Sequence, residues 1–264
     1  MTTKNEDVRS KSSRYLCGKA LDTLLIDGCL QERSWMEAPR SPCFSDHTGK
    51  RPLFDTYASL VWDDRYLYVA FWLEDHDIQA TQEINSLDVR QDSHVGVIFT
   101  GKGTYYDLAV NPFGAISEVF SIHKNTYKED HRYRQAEFNL AARRPEVVGG
   151  HSGTNYDAMR WVFSDWRFSG LQIGVHLDGN PKRRNSIDKG WYVELAFPWE
   201  GFKCLSGVNQ NYPPPTGELW KIALLRRQKI NQRGQIWQAT WTWKPIEYSN
   251  IRVPETNLEL EFGT

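Results

Sequence analysis

The chain has 264 residues, of which 40% are hydrophobic and 25% charged, and its 32 Lys and Arg stand against 33 Asp and Glu. That composition excludes wholesale disorder, since a chain this long can bury most of its unfolded surface, and the near-zero net charge provides no overall field to draw it toward nucleic acid or anionic lipid. The apolar fraction is weighted toward flat rings, with 11 Trp, 12 Tyr and 12 Phe beside three Met, which suits pleated sheet and stacking on planar or sugar-like ligands.

Residues 1–14 are polar and charged without periodicity and read as a flexible leader; a single domain is expected over 15–264. The first clear hairpin is Tyr57–Trp62 and Tyr66–Leu73 around Asp63-Asp64-Arg65. In its second strand Tyr66, Tyr68, Ala70 and Trp72 share one face and Leu67, Val69, Phe71 and Leu73 the other, so the strand is expected to be covered on both sides. Further strands are predicted at His94–Thr100, Thr104–Val110, Ala115–Ser121, Ala158–Ser164, Leu171–Leu177, Trp191–Phe197, Leu219–Leu225, Ile236–Trp243 and Leu258–Phe262. Eleven short strands without long helical periods predict an all-β antiparallel β-sandwich of immunoglobulin or jelly-roll type. The polar stretch 123–156 is predicted to be an insertion with one short helix near Ala136–Arg143, and Pro213-Pro214-Pro215 a stiff connector.

Cys17, Cys29, Cys43 and Cys204 have no zinc-type spacing; two disulfides stay open as an alternative, and free thiols are the favoured reading for a cytoplasmic chain. No apolar run is long enough for a membrane span or a signal peptide, which predicts a soluble, cytoplasmic chain, or an extracellular or periplasmic one had it been trimmed. No nucleophile elbow, P-loop, dinucleotide fingerprint or HExxH motif is present. Glu194, mid-strand in WYVELAF, is the carboxylate a glycosidase would use, but the favoured reading is a buried Glu satisfied by Arg226 or Arg227. Asp63, Asp64, Asp75, Asp77, Asp88 and Asp92 gather at strand ends, where Asx turns explain most of them; Asp75 and Asp92 are the candidate Ca²⁺ ligands. The basic runs Lys182-Arg183-Arg184 and Arg226-Arg227-Gln228-Lys229 read as solvated charge, for want of an aromatic-interleaved basic face.

Several strings, taken in order, carry a resemblance. Ile26-Asp27-Gly28 followed by Leu30, Glu32 and Trp35, then LVWDDRYLYVAF (60–71), QDSHV (91–95), YYDLAVNPFG (105–114), DKGWYVELAFPW (188–199), GELWKIALLRR (217–227) and WTWKP (241–245), resemble family 9 carbohydrate-binding modules, over about 15–263. The resemblance implies a DOMON-like β-sandwich, glycan binding without catalysis, and structural calcium in some members. It also implies scaffold roles for Glu194 and Asp63-Asp64. In the family's sugar site two Trp rings sandwich a terminal sugar; here Val89 and Ile251 fall at those positions, Gly96 and Ala109 at those of an acid and an Arg, and Asn111 matches.

The expectation is therefore non-catalytic binding of an oligosaccharide or polysaccharide through other aromatics. Trp243 and Tyr248 are expected as platforms, with Asn111, Tyr106 and Arg226 as polar partners, and a glycoside hydrolase as an associated protein. The rival readings are a protein-interaction sandwich using 123–156, a haem-binding DOMON-like domain with His94 or Met159 as axial ligand, and a glycoside-processing enzyme built on Glu194.

Overall fold

In the computed structural model, residues 14–149, 159–180, 187–205, 207, 211–232 and 234–264 are described. The hairpin of β2 (Thr56–Trp62) and β3 (Tyr66–Glu74) closes through one Asx turn: Asp63 Oδ1 accepts from the backbone N–H of Arg65 at 2.7 Å and of Tyr66 at 2.8 Å. The carboxylate holds the turn, so the flanking strands pair residue for residue from Trp62 with Leu67 to Thr56 with Leu73. A second turn is built by Asn111, between β5 (Thr104–Val110) and β6 (Ile116–His123). Its Oδ1 accepts from Phe113 and Ala115 while Gly114 takes a positive φ.

Two sheets face each other. The larger runs in the order β7 (Glu146–Val148), β8 (Arg160–Phe163), β6, β5, β4 (His94–Gly101), β11 (Leu219–Gln232) and β13 (Leu258–Phe262). The far half of the long β11 pairs instead with β12 (Gln235–Thr242). The smaller sheet is β2, β3, β10 (Gly190–Pro198) and β9 (Gln172–Asp178). One short strand, β1 (Arg14–Lys19), belongs to both: Arg14 to Cys17 run parallel to β13, and Gly18 and Lys19 parallel to β2. These two parallel pairings make the sandwich mixed rather than wholly antiparallel. The sequence hides β1 because it starts inside the charged run read as a leader; residues 1–13 lie outside the described residues.

The core lies between the sheets. Leu67, Val69, Phe71 and Leu73 on β3 and Trp191, Val193, Leu195 and Phe197 on β10 face Val95, Val97 and Phe99 on β4 and Trp220, Ile222 and Leu224 on β11. All are buried, as period-2 alternation requires of two sheets packed about 10 Å apart. One ion pair crosses this interior. Arg226, on the inner side of β11, meets Asp75 at 3.1 Å with both side chains fully buried, and also donates to Thr56 Oγ1, the Glu74 carbonyl and Gln228 Oε1. Burial pulls the Arg226 pKa down to about 10, which still leaves it charged at neutral pH.

The described part of the insertion, 123–149, is folded onto the core. It forms α2 (Lys124–Glu129), 3₁₀ turns at His131–Arg134 and Ala136–Phe138, α3 (Leu140–Arg143) and β7, α1 being the single turn Arg33–Glu37. Tyr133 and Phe138 are buried against Phe120, and Tyr133 donates to the Cys204 carbonyl at 2.7 Å. The expected helix near Ala136–Arg143 is thus a 3₁₀ turn followed by one α turn, with α2 as an addition.

Candidate functional site

The sandwich has two outer faces. On the larger sheet, the outward positions of β4, β5 and β11 are Ile98, Tyr105, Ala223 and Leu225, covered by the carboxyl-terminal segment through Ile246, Tyr248 and Ile251. Val89 and Ile251, where the resemblance puts two sandwiching rings, are both fully buried. Gly96 has no room for an acid, because a Cβ there would lie 2.8 Å from Leu225 Cγ. Asp107 sits beside this packing. Arg90 donates to its Oδ1 at 2.9 Å and Arg252 donates to its Oδ2 at 3.0 and 2.6 Å. Burial disfavours the Asp107 carboxylate, but the two guanidinium groups outweigh it and hold its pKa below the ordinary range. The pocket of the resemblance is closed by the chain's own side chains.

The structure does not bring the predicted site residues together. Trp243 is inside the core, its ring 5.0 Å from Tyr15 and 6.4 Å from Phe44, so no face is left for a sugar. Tyr106 is fully buried and donates to Glu118 at 2.9 Å. Asn111 is the turn-builder already described and donates to the Gln82 carbonyl and Asp92. Arg226 belongs to the buried pair with Asp75. Tyr248 alone of the five is partly exposed, on the outer face of the larger sheet.

Asp75 and Asp92 do not fit a cation site. Asp92 accepts from the N–H groups of Thr81 and Gln82, the Thr81 hydroxyl and Asn111, and these donors hold its pKa down against burial. Oxygens engaged by N–H donors are lost to a metal, and among the described residues no three His, Cys, Asp or Glu side chains converge. His94, the candidate haem ligand, is fully enclosed, with Nδ1 2.9 Å from the Asp92 carbonyl and a pKa pulled down to about 4 by burial. The four cysteines are free thiols. Lys182-Arg183-Arg184 lies outside the described residues.

The smaller sheet is finished differently. Half of its outer face is covered by residues 20–38: Leu24, Leu30 and Trp35 pack on Val61, Tyr68, Ala70 and Ala196. Glu194 fastens this cover, accepting from Trp35 Nε1 at 2.7 Å and from the backbone N–H groups of Asp27 and Gly28 at 3.2 Å each. Gly28 is required there, because it takes φ of +82° and a Cβ would lie 2.6 Å from the His176 backbone nitrogen. The Glu194 partners are therefore the Ile-Asp-Gly turn and an indole, not Arg226 or Arg227. With no cation in contact, desolvation raises its pKa to about 7.

The rest of this face is covered only in part: Trp72 and Tyr192 pack against the edge of that cover, where Trp35 meets the Trp72 ring edge-on at 6.4 Å. Tyr57 on β2 is in register with Trp72 on β3, Trp72 with Tyr192 on β10, and Tyr192 with His176 on β9. Tyr57, Trp72 and Tyr192 are half-buried and His176 is exposed, so four flat rings cross four strands at roughly 4.8 Å intervals. The Arg40 guanidinium lies over Trp72 at 4.2 Å, and the His176 and Tyr192 rings are 6.0 Å apart. Polar groups flank the row: Asp55 accepts from the Tyr57 hydroxyl, and Glu74 follows Trp72 on its own strand face. Period-2 alternation groups Trp72 with Tyr66 and Tyr68, but alignment of Tyr57, Tyr192 and His176 comes only from strand register, which the sequence does not state.

No protein-family model and no curated protein matches the chain. Solved structures share its fold. A family 9 carbohydrate-binding module from Caldicellulosiruptor kristjanssonii, in complex with cellotriose, aligns with a TM-score of 0.54 at 12% identity, over 95% of this chain and 93% of that one. The same kind of module from that organism with glucose gives 0.52 at 12% identity, over 94% and 95%. A proposed carbohydrate-binding protein from Bacteroides uniformis ATCC 8492 gives 0.59 at 11% identity, over 94% and 97%. The β-sandwich is that of carbohydrate-binding modules along nearly its whole length.

Proposed function

We propose that this protein is a non-catalytic glycan-binding β-sandwich that holds a segment of sugar chain across Tyr57, Trp72, Tyr192 and His176. The observation that carries the reading is the row itself: four in-register rings on a partly covered sheet face, within a fold otherwise used by modules solved with cellotriose and glucose. The C–H face of a pyranose is apolar and its rim is hydroxyl, so a flat ring beneath and carboxylates at the side recognise it with no titrating group. Asp55 and Glu74 are the rim acceptors, and Arg40 lies over Trp72, where a sugar docking on that ring must displace it. Glu194 does not act on a substrate here, because its oxygens serve three N–H donors beneath the 20–38 cover. A glycoside hydrolase working on the same polymer is the associated protein this reading calls for.

The test is titration of cellotriose and a panel of neutral oligosaccharides into the wild type, Trp72→Ala and Tyr192→Ala. Binding by the wild type that falls at least tenfold in each folded variant supports the row. A panel without a binder, or a binder indifferent to both substitutions, removes it.

A further inference from the structure

The long hairpin of the larger sheet ends in a bare strand edge. Beyond Arg227 β11 leaves β4, and its far half pairs with β12 alone. At the end of β12, Thr242 exchanges backbone hydrogen bonds with Ser45 at 3.0 and 2.9 Å, on the side away from β11. Antiparallel pairing alternates, so the N–H and C=O groups of Thr240, Gln238 and Ile236 point to that same side. Among the described residues these groups have no partner. The strand also lacks the usual defences of an open edge: Gln235–Thr242 contains no charge, proline or glycine, and Ile236 and Trp237 are 62% and 58% exposed. Other edges are protected. The Ala58 and Thr56 carbonyls on β2 accept from Ser41 and Phe44, β7 is three residues long and bears Glu146, and β9 carries Gly174 in its interior and ends on Asp178.

We infer that β12 is a dimerisation edge, on which a second copy of this chain pairs antiparallel about a two-fold axis at Gln238. In that register Gln238 lies opposite its own copy, and Ile236 lies opposite Thr240 of the second copy, so every open N–H and C=O of the three residues receives a partner. It is the one antiparallel register in which each of the three meets another of them. The side chains between them fit as well. Trp237, on the face it shares with Ile230, falls opposite Ala239 of the second copy, which lays an exposed ring over a small neighbour. Gly234, at φ of +85°, falls opposite Thr242, so the paired edge stops where Ser45 begins. Arg227 and Lys229 stand on β11, three strand spacings or about 14 Å from their counterparts, beyond the screening length of about 10 Å at 0.1 M salt. A strand of another protein would meet the same backbone groups, but an uncharged edge has nothing to select it, whereas this register is complementary to itself. The inference does not depend on the glycan-binding reading, which uses the smaller sheet.

The test is sedimentation velocity over a concentration series on the full chain as wild type, Gln238→Pro, Trp237→Lys and Met36→Lys, with amide hydrogen exchange on the wild type. Gln238→Pro removes an outward N–H that makes no bond within the chain, and proline is tolerated on an edge strand at such a position; denaturation midpoints check that each variant folds. The wild type is expected to dimerise reversibly by about 100 μM, with Gln238→Pro and Trp237→Lys each weakening association about tenfold or more. Met36→Lys alters an exposed apolar side chain on α1 and should leave the dimer intact. Exchange at the amides of Ile236, Gln238 and Thr240 should slow as concentration rises. A wild type that stays monomeric at about 100 μM overturns the inference. So does a dimer indifferent to Gln238→Pro, a dimer equally weakened by Met36→Lys, or one in which those three amides exchange at the same rate at low and high concentration. If Gln238→Pro fails to fold, Trp237→Lys and the amide exchange decide in the same way. A monomeric wild type whose cellotriose affinity falls in Trp237→Lys would identify the exposed ring as a sugar platform and would likewise overturn the pairing.

Discussion

Each outer face of the sandwich is anchored by one buried carboxylate, and the two are held by opposite means. Asp107, on the larger sheet, is gripped by Arg90 and Arg252, and its pKa is driven below the ordinary range. Glu194, on the smaller sheet, is held by an indole and two backbone N–H groups, none of them charged, and burial lifts its pKa to about 7. A cation makes a buried carboxylate a fixed charge; at Glu194 the neutral donors lower the pKa but do not offset desolvation, which leaves a group that titrates near neutrality. The same contrast runs over the surfaces around them. Beside Asp107 arginines pack against Tyr248 and the buried Tyr105, and beside Glu194 there is a row of half-buried rings with one guanidinium over it.

The contrast breaks most visibly at Asp107. Asp107→Asn leaves Arg90 and Arg252 beside a neutral amide, and losing one partner of a buried charge cluster costs about 3–5 kcal/mol. The expected outcome is a large fall in the urea midpoint at neutral pH, with the same substitution most damaging on this face. A midpoint within experimental scatter of the wild type would show that the two arginines find other partners.

On the opposite face the effect is a pH dependence. The folded-state pKa of Glu194 is raised from 4.5 to about 7, so the folded state binds the proton more tightly than the unfolded chain. Its contribution to stability is complete below pH ~4.5, declines as pH rises, and is lost above ~7, a difference of about 3 kcal/mol. Wild-type stability should therefore fall between pH 5 and pH 8, and Glu194→Gln should flatten that slope. Asp107 has the opposite sign: its depressed pKa makes its stabilisation present above the unfolded value near 3.8 and lost only as pH falls below it. A slope that persists in Glu194→Gln would mean that another group titrates in that window.

The strands were legible because their signal is local. Alternation in Tyr66–Leu73 and the turn at Asp63-Asp64-Arg65 each lie within a few residues, and the structure builds them where the pattern puts them. The resemblance in Asp27-Gly28 and Trp35 also has a physical cause, since Asp27, Gly28 and Trp35 donate to Glu194 and the Asp27-Gly28 turn lies against Gly174. The site residues were less legible. Trp243, Tyr106 and Arg226 carry the right chemistry, but whether a ring on a strand faces the core or the solvent depends on which sheet covers it. Alternation gives two faces without naming the buried one when both are apolar. Arg252 and Asp107 are 145 residues apart and meet only through the fold.

Within binding, the largest expected change is at the centre of the row. Trp72 has ring neighbours in register on both sides, and removing a central aromatic anchor typically costs about 2 kcal/mol, or roughly thirtyfold in affinity. Trp72→Ala should therefore weaken a neutral oligosaccharide by that amount, while His176→Ala, at the exposed edge strand, should cost less. Equal losses at the two positions would argue against a ligand centred on β3.

The smallest effect has the more informative sign. Arg40 is exposed, and its guanidinium lies over Trp72 at 4.2 Å, on the surface a pyranose would need. An exposed cation–ring contact is worth about 0.5–1 kcal/mol, and docking a sugar on that surface requires Arg40 to leave. If Arg40 only obstructs, Arg40→Ala should tighten neutral-glycan binding about two- to fivefold. If it swings aside and donates to a hydroxyl at the rim, the gain is cancelled and affinity is unchanged or lower. Calorimetry on Arg40→Ala and Arg40→Lys separates these outcomes. Lysine retains the charge but not the planar stacking surface, so tightening in both variants identifies obstruction, whereas loss in Ala restored by Lys identifies a rim donor.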